Sequence, residues 1–320
     1  MDDLSSTIAL VLCDHGLGHV RRGLIRGWEL MNYGYSVTVF APGAAHEKLA
    51  SAIPCLKAVR VVNFSTNTGR LSLRSEVKSS LAWTTKLSKI DSFDRVYCDN
   101  LPEILMIRPD ATLMAQFFWH EVLSGVSPEY VDLCRSLLSA HKPEILGCQM
   151  FSMDHVRTLP GFRPVQMVRN PHLVSALKET RDRVRTDFLI TGGTTDAADH
   201  EFRQVVSSVL SVGSIGYSSI YVEPHLLPKK PPPWMKPARF DVEMYLGLKA
   251  AICRPGLGVV TDLLTSGIVP KPLYEADNLE MVHNANVLNT LRKNVSHLTG
   301  ERDSESQIFE TIFNENGRDR

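Results

Sequence analysis

Short unbroken apolar runs alternate along this chain with longer stretches in which apolar positions recur every three or four residues. Ile8–Cys13 is an apolar run that ends at polar and glycine residues, the pattern of a parallel strand covered on both faces. The next segment, HVRRGLIRGWELMNYG, carries Val20, Leu24, Trp28 and Met31 at helical spacing. Arg21, Arg22, Arg26 and Glu29 fall on its other faces, and Gly34 is a natural C-terminal stop. YSVTVFAPG then reads as a second strand closed by Pro-Gly. Strand, glycine turn, helix and strand make one right-handed βαβ unit of about 35 residues.

The alternation predicts further strands at Val59–Phe64, Arg95–Cys98, Thr112–Phe118, Glu144–Cys148 and Val165–Val168. It predicts helices over Leu73–Ile90 and Pro128–Ala140. A second cycle begins near residue 186, where Asp187–Ile190 leads into TGGTTD and an amphipathic Glu201–Leu210. Ile215–Val222 is a strand candidate, and LPKKPPPWMKP reads as a loop because successive prolines remove ladder donors. Ala250–Cys253 feeds RPGLG and a helix over Val259–Ser266; Gly267–Pro270 returns to a strand, and EADNLEMVHNANVLNTLRKN reads as a helix.

Two successive halves, each opening with an apolar strand and a glycine turn, predict an α/β protein of two Rossmann-like domains with parallel sheets facing across a ligand-binding cleft. The domains are expected at 1–170 and 185–300, with a hinge between 165 and 185 and a C-terminal helix and tail at 301–320. A length of 320 residues suits this division. Lys plus Arg and Asp plus Glu balance at 35 each, so the chain lacks the basic excess of a nucleic-acid-binding protein. Its six cysteines show no C-x-x-C pair, as expected of reduced thiols in a cytoplasmic protein. The first apolar run is preceded by acid and is too short for a signal peptide or a membrane span.

Gly16-Leu17-Gly18-His19 stands where a strand hands over to a helix, a position that exposes backbone N–H groups to an anion. Arg21 occupies the third glycine position of the dinucleotide fingerprint, and no acid near residue 40 is available for a ribose, which disfavours NAD. His19 lies at a strand's C-terminal end, where open α/β sheets place ligands; it reads either as a catalytic base or as a residue that caps or packs the turn. His15 carries the same two readings more weakly. The second turn, Arg254-Pro255-Gly256-Leu257-Gly258, suits a diphosphate, and Asp262, placed in the first turn of the following helix, suits ribose hydroxyls or simply the helix dipole. Gly192-Gly193-Thr194-Thr195 is a third anion-capable turn. Neither a D-x-D motif nor an H-E-x-x-H motif is present, so no metal or other cofactor is expected.

GLGHVRRG together with CRPGLGVVTDLLTSGIVPKPLYEADNLEMVHNAN resembles the GT-B glycosyltransferases of the peptidoglycan GlcNAc-transferase type. The spacing Gly-x-Gly-His-x-x-Arg over 16–22, with DFLITGGTTD, is similar to the nucleotide-sugar hydrolase of pseudaminic acid synthesis, which shares the fold. The resemblance implies that His19 is the general base, that Gly18 and Gly256 lie at the diphosphate and that Asp262 takes the place of a ribose-binding Glu. It puts Glu280 where the transferases have a sugar-binding Gln, and Met281 where they have a second one. The resulting expectation is an inverting, metal-independent transfer from a nucleotide-sugar such as a UDP-sugar to a carbohydrate or lipid-linked hydroxyl, with hydrolysis or epimerisation as the alternative. Helix N-termini with Arg22 or Arg254 would hold the departing charge. Asp99, His120 and Glu121 follow predicted strand ends and are acceptor-side candidates. The basic stretch Arg70, Arg74, Lys78, Lys86 and Lys89, with Leu71, Leu73, Leu81 and Trp83, suits either a solvated helix face or peripheral contact with the inner face of a membrane.

Overall fold

A computed structural model describes residues 6–66, 81–87, 89–180, 182–193, 198–214 and 216–299, the last five of these as backbone only. The chain divides into two compact units, Met1–Val168 and Arg169–Arg320. Arg70, Arg74, Lys78, Leu71, Leu73, Thr194, Thr195 and the 301–320 tail lie outside the described residues. Among the described residues no helix is long and apolar enough to cross a membrane.

Among its described residues unit 1 holds seven parallel strands: β1 (Thr7–Val11), β2 (Ser36–Ala41), β3 (Arg60–Asn63), β4 (Arg95–Asp99), β5 (Thr112–Met114), β6 (Ile145–Cys148) and β7 (Phe162–Val165). Its helices are α1 (Leu17–Asn32), α2 (Gly43–Ala52), α3 (Trp119–Val122), α4 (Pro128–His141) and α5 (Asp154–Arg157). The sheet order is β3-β2-β1-β4-β5-β6-β7, so the chain winds one way from β1 and then returns to β1's other side. β1 is apolar throughout because both of its faces are packed. Ala9, Val11 and Cys13 enter one core with Phe117, Trp119 and Leu113, while Ile8, Leu10 and Leu12 enter another with Val20, Leu24 and Val39. Helix α1 lies close on the second face because Gly23 and Gly27 carry no side chain. A Cβ at Gly23 would stand 2.2 Å from Leu12 Cδ2, and one at Gly27 would stand 3.1 Å from Leu10 Cδ1.

Unit 2 begins with α6 (Pro171–Glu179), which Asn170 caps by accepting from the His172 amide. Its described residues form five parallel strands, β8 (Asp187–Thr191), β9 (Ser219–Val222), β10 (Met235–Pro237), β11 (Leu248–Cys253) and β12 (Lys271–Pro272), in the order β10-β9-β8-β11-β12. Helices α7 (Asp199–Val212), α8 (Val242–Gly247), α9 (Leu257–Thr265) and α10 (Leu279–Thr299) complete it. Phe202, Val205, Val206 and Val209 of α7 pack on Phe188 and Ile190 of β8 and on Ile220 and Val222 of β9.

Several expectations are corrected. The strand sought at Val165–Val168 is Phe162–Val165, and that sought at Gly267–Pro270 is Lys271–Pro272. The proline-rich loop contains β10, which tolerates Pro237 because it is an edge strand and pairs with β9 alone. The helix expected to run to Ile90 is replaced over its described end by 3-10 turns at Thr84–Lys86 and Ile90–Ser92. Trp83 is buried in the core of unit 1, so it is not offered to a membrane surface. Arg21 is buried rather than set on a solvent face.

Glu103 is a fully buried acid in the 3-10 turn Pro102–Met106. It accepts a hydrogen bond from the Tyr130 hydroxyl, while its Oε2 has no partner among the described residues. Burial pushes the Glu103 carboxyl up to about 7, against the opposing pull of Tyr130. The folded chain therefore holds a proton that the unfolded chain releases near pH 4.5. The associated stability is fully present below that value and is lost as the pH rises through 7, a difference of about 3 kcal/mol. Glu103→Gln should flatten this part of the pH profile and should be more stable than the wild type at pH 8. Urea unfolding at several pH values checks this; a parallel profile in the two proteins would refute the buried-proton account.

Candidate active site

The return of the chain past β1 in unit 1 makes a topological switch point between β1 and β4, the place where open α/β sheets leave a crevice at the strands' carboxyl ends. Pairing of Val11 with Cys98 brings the ends of the two strands side by side. β1 leads through Asp14 to Gly16, whose φ of 84° a side chain would resist, and α1 begins at Leu17. Asp14 fixes this turn by accepting from the Ser65 and Thr66 hydroxyls beyond β3. His19 falls in the first turn of α1, and Asp99 is the last residue of β4.

The two side chains meet: His19 Nδ1 lies 2.6 Å from Asp99 Oδ2, and both residues are buried. A carboxylate only accepts, so the ring nitrogen facing it carries the proton, and in the neutral imidazole Nε2 is then the free acceptor end. Arg22, one turn further along α1, approaches Asp99 Oδ1 to 3.6 Å and His19 Nδ1 to 3.2 Å. Burial alone would raise the Asp99 pKa. The charges and hydrogen bonds of His19 and Arg22 outweigh burial and leave it lowered, so Asp99 is ionised at neutral pH. Phe117 and Trp119 wall the imidazole, with centroids 6.0 and 5.6 Å from its own. Asn100, in the left-handed region at φ 61°, turns the chain away after Asp99.

His120 and Glu121 belong to a separate cavity of about 390 Å³, which they line with Phe118, Arg135, Leu138 and His155. Burial pulls the His120 imidazole down to about 4, so it is neutral, and its Nδ1 has no partner among the described residues. Hydrogen bonds from Arg135 hold Glu121 below the usual carboxylate range.

Unit 2 repeats the device at its own switch point, between β8 and β11. Thr191 pairs with Cys253, and Arg254 N–H donates to the Thr191 carbonyl at 2.9 Å, so the two glycine turns lie together. Gly192-Gly193 follows β8, with Gly193 at φ 79° and its N–H on Thr191 Oγ1. Arg254-Pro255-Gly256 follows β11, and Asn284 of α10 braces this turn by donating to the Pro255 carbonyl at 2.9 Å. The Arg254 guanidinium is engaged by both carboxylate oxygens of Glu275, so its charge is already balanced. Gly258 is the second residue of α9.

Helix α9 starts at Leu257 rather than Val259, which moves Asp262 from the first turn to the second. Asp262 is buried instead of standing on the surface. Glu280 is a half-buried acid in the first turn of α10, and Met281 is buried in the interior.

The pattern along the chain singled out His19 and Asp99 separately but not their pairing, which depends on β4 returning to the side of β1. Phe117 and Cys13, which stand beside the pair, carried no sequence signal beyond ordinary core spacing, while Trp119 was marked only by its place after a predicted strand end.

No family model and no curated protein sequence matches the chain. Solved structures do. The glycosyltransferase SnogD from Streptomyces nogalater is 15% identical, covers 90% of this chain and 86% of its own, and superposes with a TM-score of 0.58. The spinosyn rhamnosyltransferase SpnG is 16% identical over 95% of this chain and 94% of its own, at 0.54. LpCGTa, solved in complex with UDP, is 13% identical over 89% and 83%, at 0.55. Identities this low speak for architecture alone, and the architecture is that of the GT-B glycosyltransferases: two α/β units, each built on a parallel sheet.

Proposed function

We propose that the protein is an inverting, metal-independent glycosyltransferase that moves a sugar from a nucleoside-diphosphate donor to a hydroxyl acceptor. The observation that carries this reading is the buried His19–Asp99 pair at the switch point of unit 1. Glycosyl transfer must deprotonate the attacking hydroxyl and stabilise the charge building on the departing diphosphate. With Nδ1–H given to Asp99, Nε2 of His19 takes the acceptor's proton, and ionised Asp99 steadies the imidazolium that forms. The acceptor oxygen bonds to the anomeric carbon as the bond to the diphosphate breaks on the opposite face, so the configuration inverts. Arg22 is a positioning residue, holding the carboxylate that orients the base.

The leaving charge falls to unit 2, where the Gly192-Gly193 and Arg254–Gly256 turns lie together and the start of α9 presents backbone N–H groups. Arg254 braces the turn instead: its backbone N–H is given to Thr191 and its guanidinium to Glu275. Asp262 and Glu280 are the residues we assign to the donor's hydroxyls. UDP is the nucleotide we favour, by likeness of fold to LpCGTa. A carbohydrate or lipid-linked alcohol is the acceptor class that needs such a base, and six free cysteines favour a cytoplasmic setting.

Two outcomes are expected. His19→Ala should keep donor affinity while turnover falls by roughly 10²–10⁴, and Asp99→Asn, which reverses the preferred tautomer, should fall by a similar order. Steady-state kinetics with calorimetric donor titration on variants of normal melting behaviour test this; turnover within about threefold of wild type for His19→Ala would sink the assignment. A panel of UDP-, GDP-, CDP- and dTDP-sugars should release nucleotide only when a hydroxyl acceptor is added, with or without EDTA. Release without acceptor would reassign the chain as a hydrolase, and loss of turnover in EDTA restored by Mg²⁺ or Mn²⁺ would end the metal-independent reading.

A further inference from the structure

Cys13 takes no part in that reaction, yet its sulfur stands against the reacting pair. Cys13 Sγ, a ring nitrogen of His19 and a carboxylate oxygen of Asp99 all lie within 4.8 Å of one another, and all three residues are buried. The sheet imposes this grouping. Cys13 comes two residues after Val11 of β1, Asp99 one residue after Cys98 of β4, and those two residues are paired neighbours. His19 then enters from the first turn of α1.

Thiolate, imidazole and carboxylate are the donors that bind zinc, at metal–ligand distances of roughly 2.0–2.3 Å and in tetrahedral geometry. Around one such ion the three donor atoms would sit about 3–4 Å apart, so their present grouping needs little rearrangement. The Trp119 indole N–H donates to Cys13 Sγ at 3.4 Å, the outer-sphere contact that favours a thiolate ligand. The set excludes magnesium and calcium as preferred ions, because these take oxygen donors.

We propose that Cys13, His19 and Asp99 bind a zinc-like divalent transition-metal cation, with water as fourth ligand, and that occupancy switches the enzyme off. When the metal–sulfur bond forms, the thiol proton leaves to solvent, the ring proton of His19 passes from Nδ1 to Nε2 so that the nitrogen facing Asp99 can bind, and the two anionic donors balance the ion's charge. His19 and Asp99 are then held by the metal and no longer available as base and partner. Arg22 opposes the ion from 3.6 Å beyond Asp99 and must swing outward, which makes the site reversible and inhibitory. Inhibition rests on the reading of His19 as the base; metal binding does not.

The test uses the full chain, stripped with a chelator and titrated with Co²⁺. A thiolate-to-cobalt charge-transfer band should appear and saturate at a single equivalent, and Zn²⁺ should abolish it. Cys13→Ser keeps an acceptor for Trp119, so it should fold, retain turnover, lose the band and become at least about tenfold less sensitive to Zn²⁺. Asp99→Asn should also lose the band, which keeps the test open if the serine variant fails to fold. No band in the wild type, or a band surviving either substitution, overturns the site. A cysteine-dependent band with turnover unchanged by Zn²⁺ keeps the site but overturns its inhibitory role, and with it His19 as base.

Discussion

A carboxylate taken out of water must be paid for by its neighbours, and Asp99 is the residue on which unit 1 is arranged. An unpaired buried charge costs several kcal/mol, and removing one partner from a buried ion pair commonly costs 3–5 kcal/mol. Asp99 meets this cost with His19 at 2.6 Å and Arg22 at 3.6 Å, both from the first two turns of α1. Those partners are in reach only because Gly23 lets α1 settle on Leu12 and because β4 pairs directly with β1. The helix, the sheet order and the ionisation of one acid are thus a single constraint. The same arrangement leaves His19 with one defined tautomer, which is what a general base requires.

Unit 2 solves a different problem at the equivalent place. Its switch point gathers two glycine turns through a backbone bond from Arg254 to Thr191. The turns spend the N–H groups of Gly193, Arg254 and Gly256 on Thr191 and Arg254, helix α9 starts directly after the second turn, and the Arg254 guanidinium is neutralised by Glu275. Unit 1 is therefore built around a titratable side chain, and unit 2 around main-chain dipoles. The proposed transfer, which moves a proton at one reactant and releases a diphosphate from the other, would draw on both devices.

Local pattern carried much of this. Apolar runs ending at glycine marked β1, β8 and β11, because strands covered on both faces show no alternation to confuse with a helix. His19 and both turns could be named from their place after those strands. What local pattern cannot carry is which strand lies beside which: the partnership of His19 with Asp99 spans 80 positions and is decided by the sheet order. Asp262 was misplaced for a smaller reason, since Leu257 and Gly258 join the helix and shift its first turn by two residues. His120 and Glu121 were read from a strand end at Phe118, but β5 stops at Met114. The chain from Ala115 to Phe118 carries them on to another cavity.

Proximity of Cys13 to the pair follows from the same packing and shows its cost. Bringing β1 and β4 together to bury Asp99 also brings together the three donor types a transition metal prefers. Arg22 is the element that separates the two possible uses of the site. While its guanidinium lies on Asp99, one positive charge already satisfies the acid and a second is repelled, so the pair stays a proton device. If Arg22 turns outward, the acid and the neighbouring thiol become a charge-compensating set for a divalent ion. On the two proposed readings of the site, the position of one arginine side chain, set by the second turn of α1, decides between a base and a ligand.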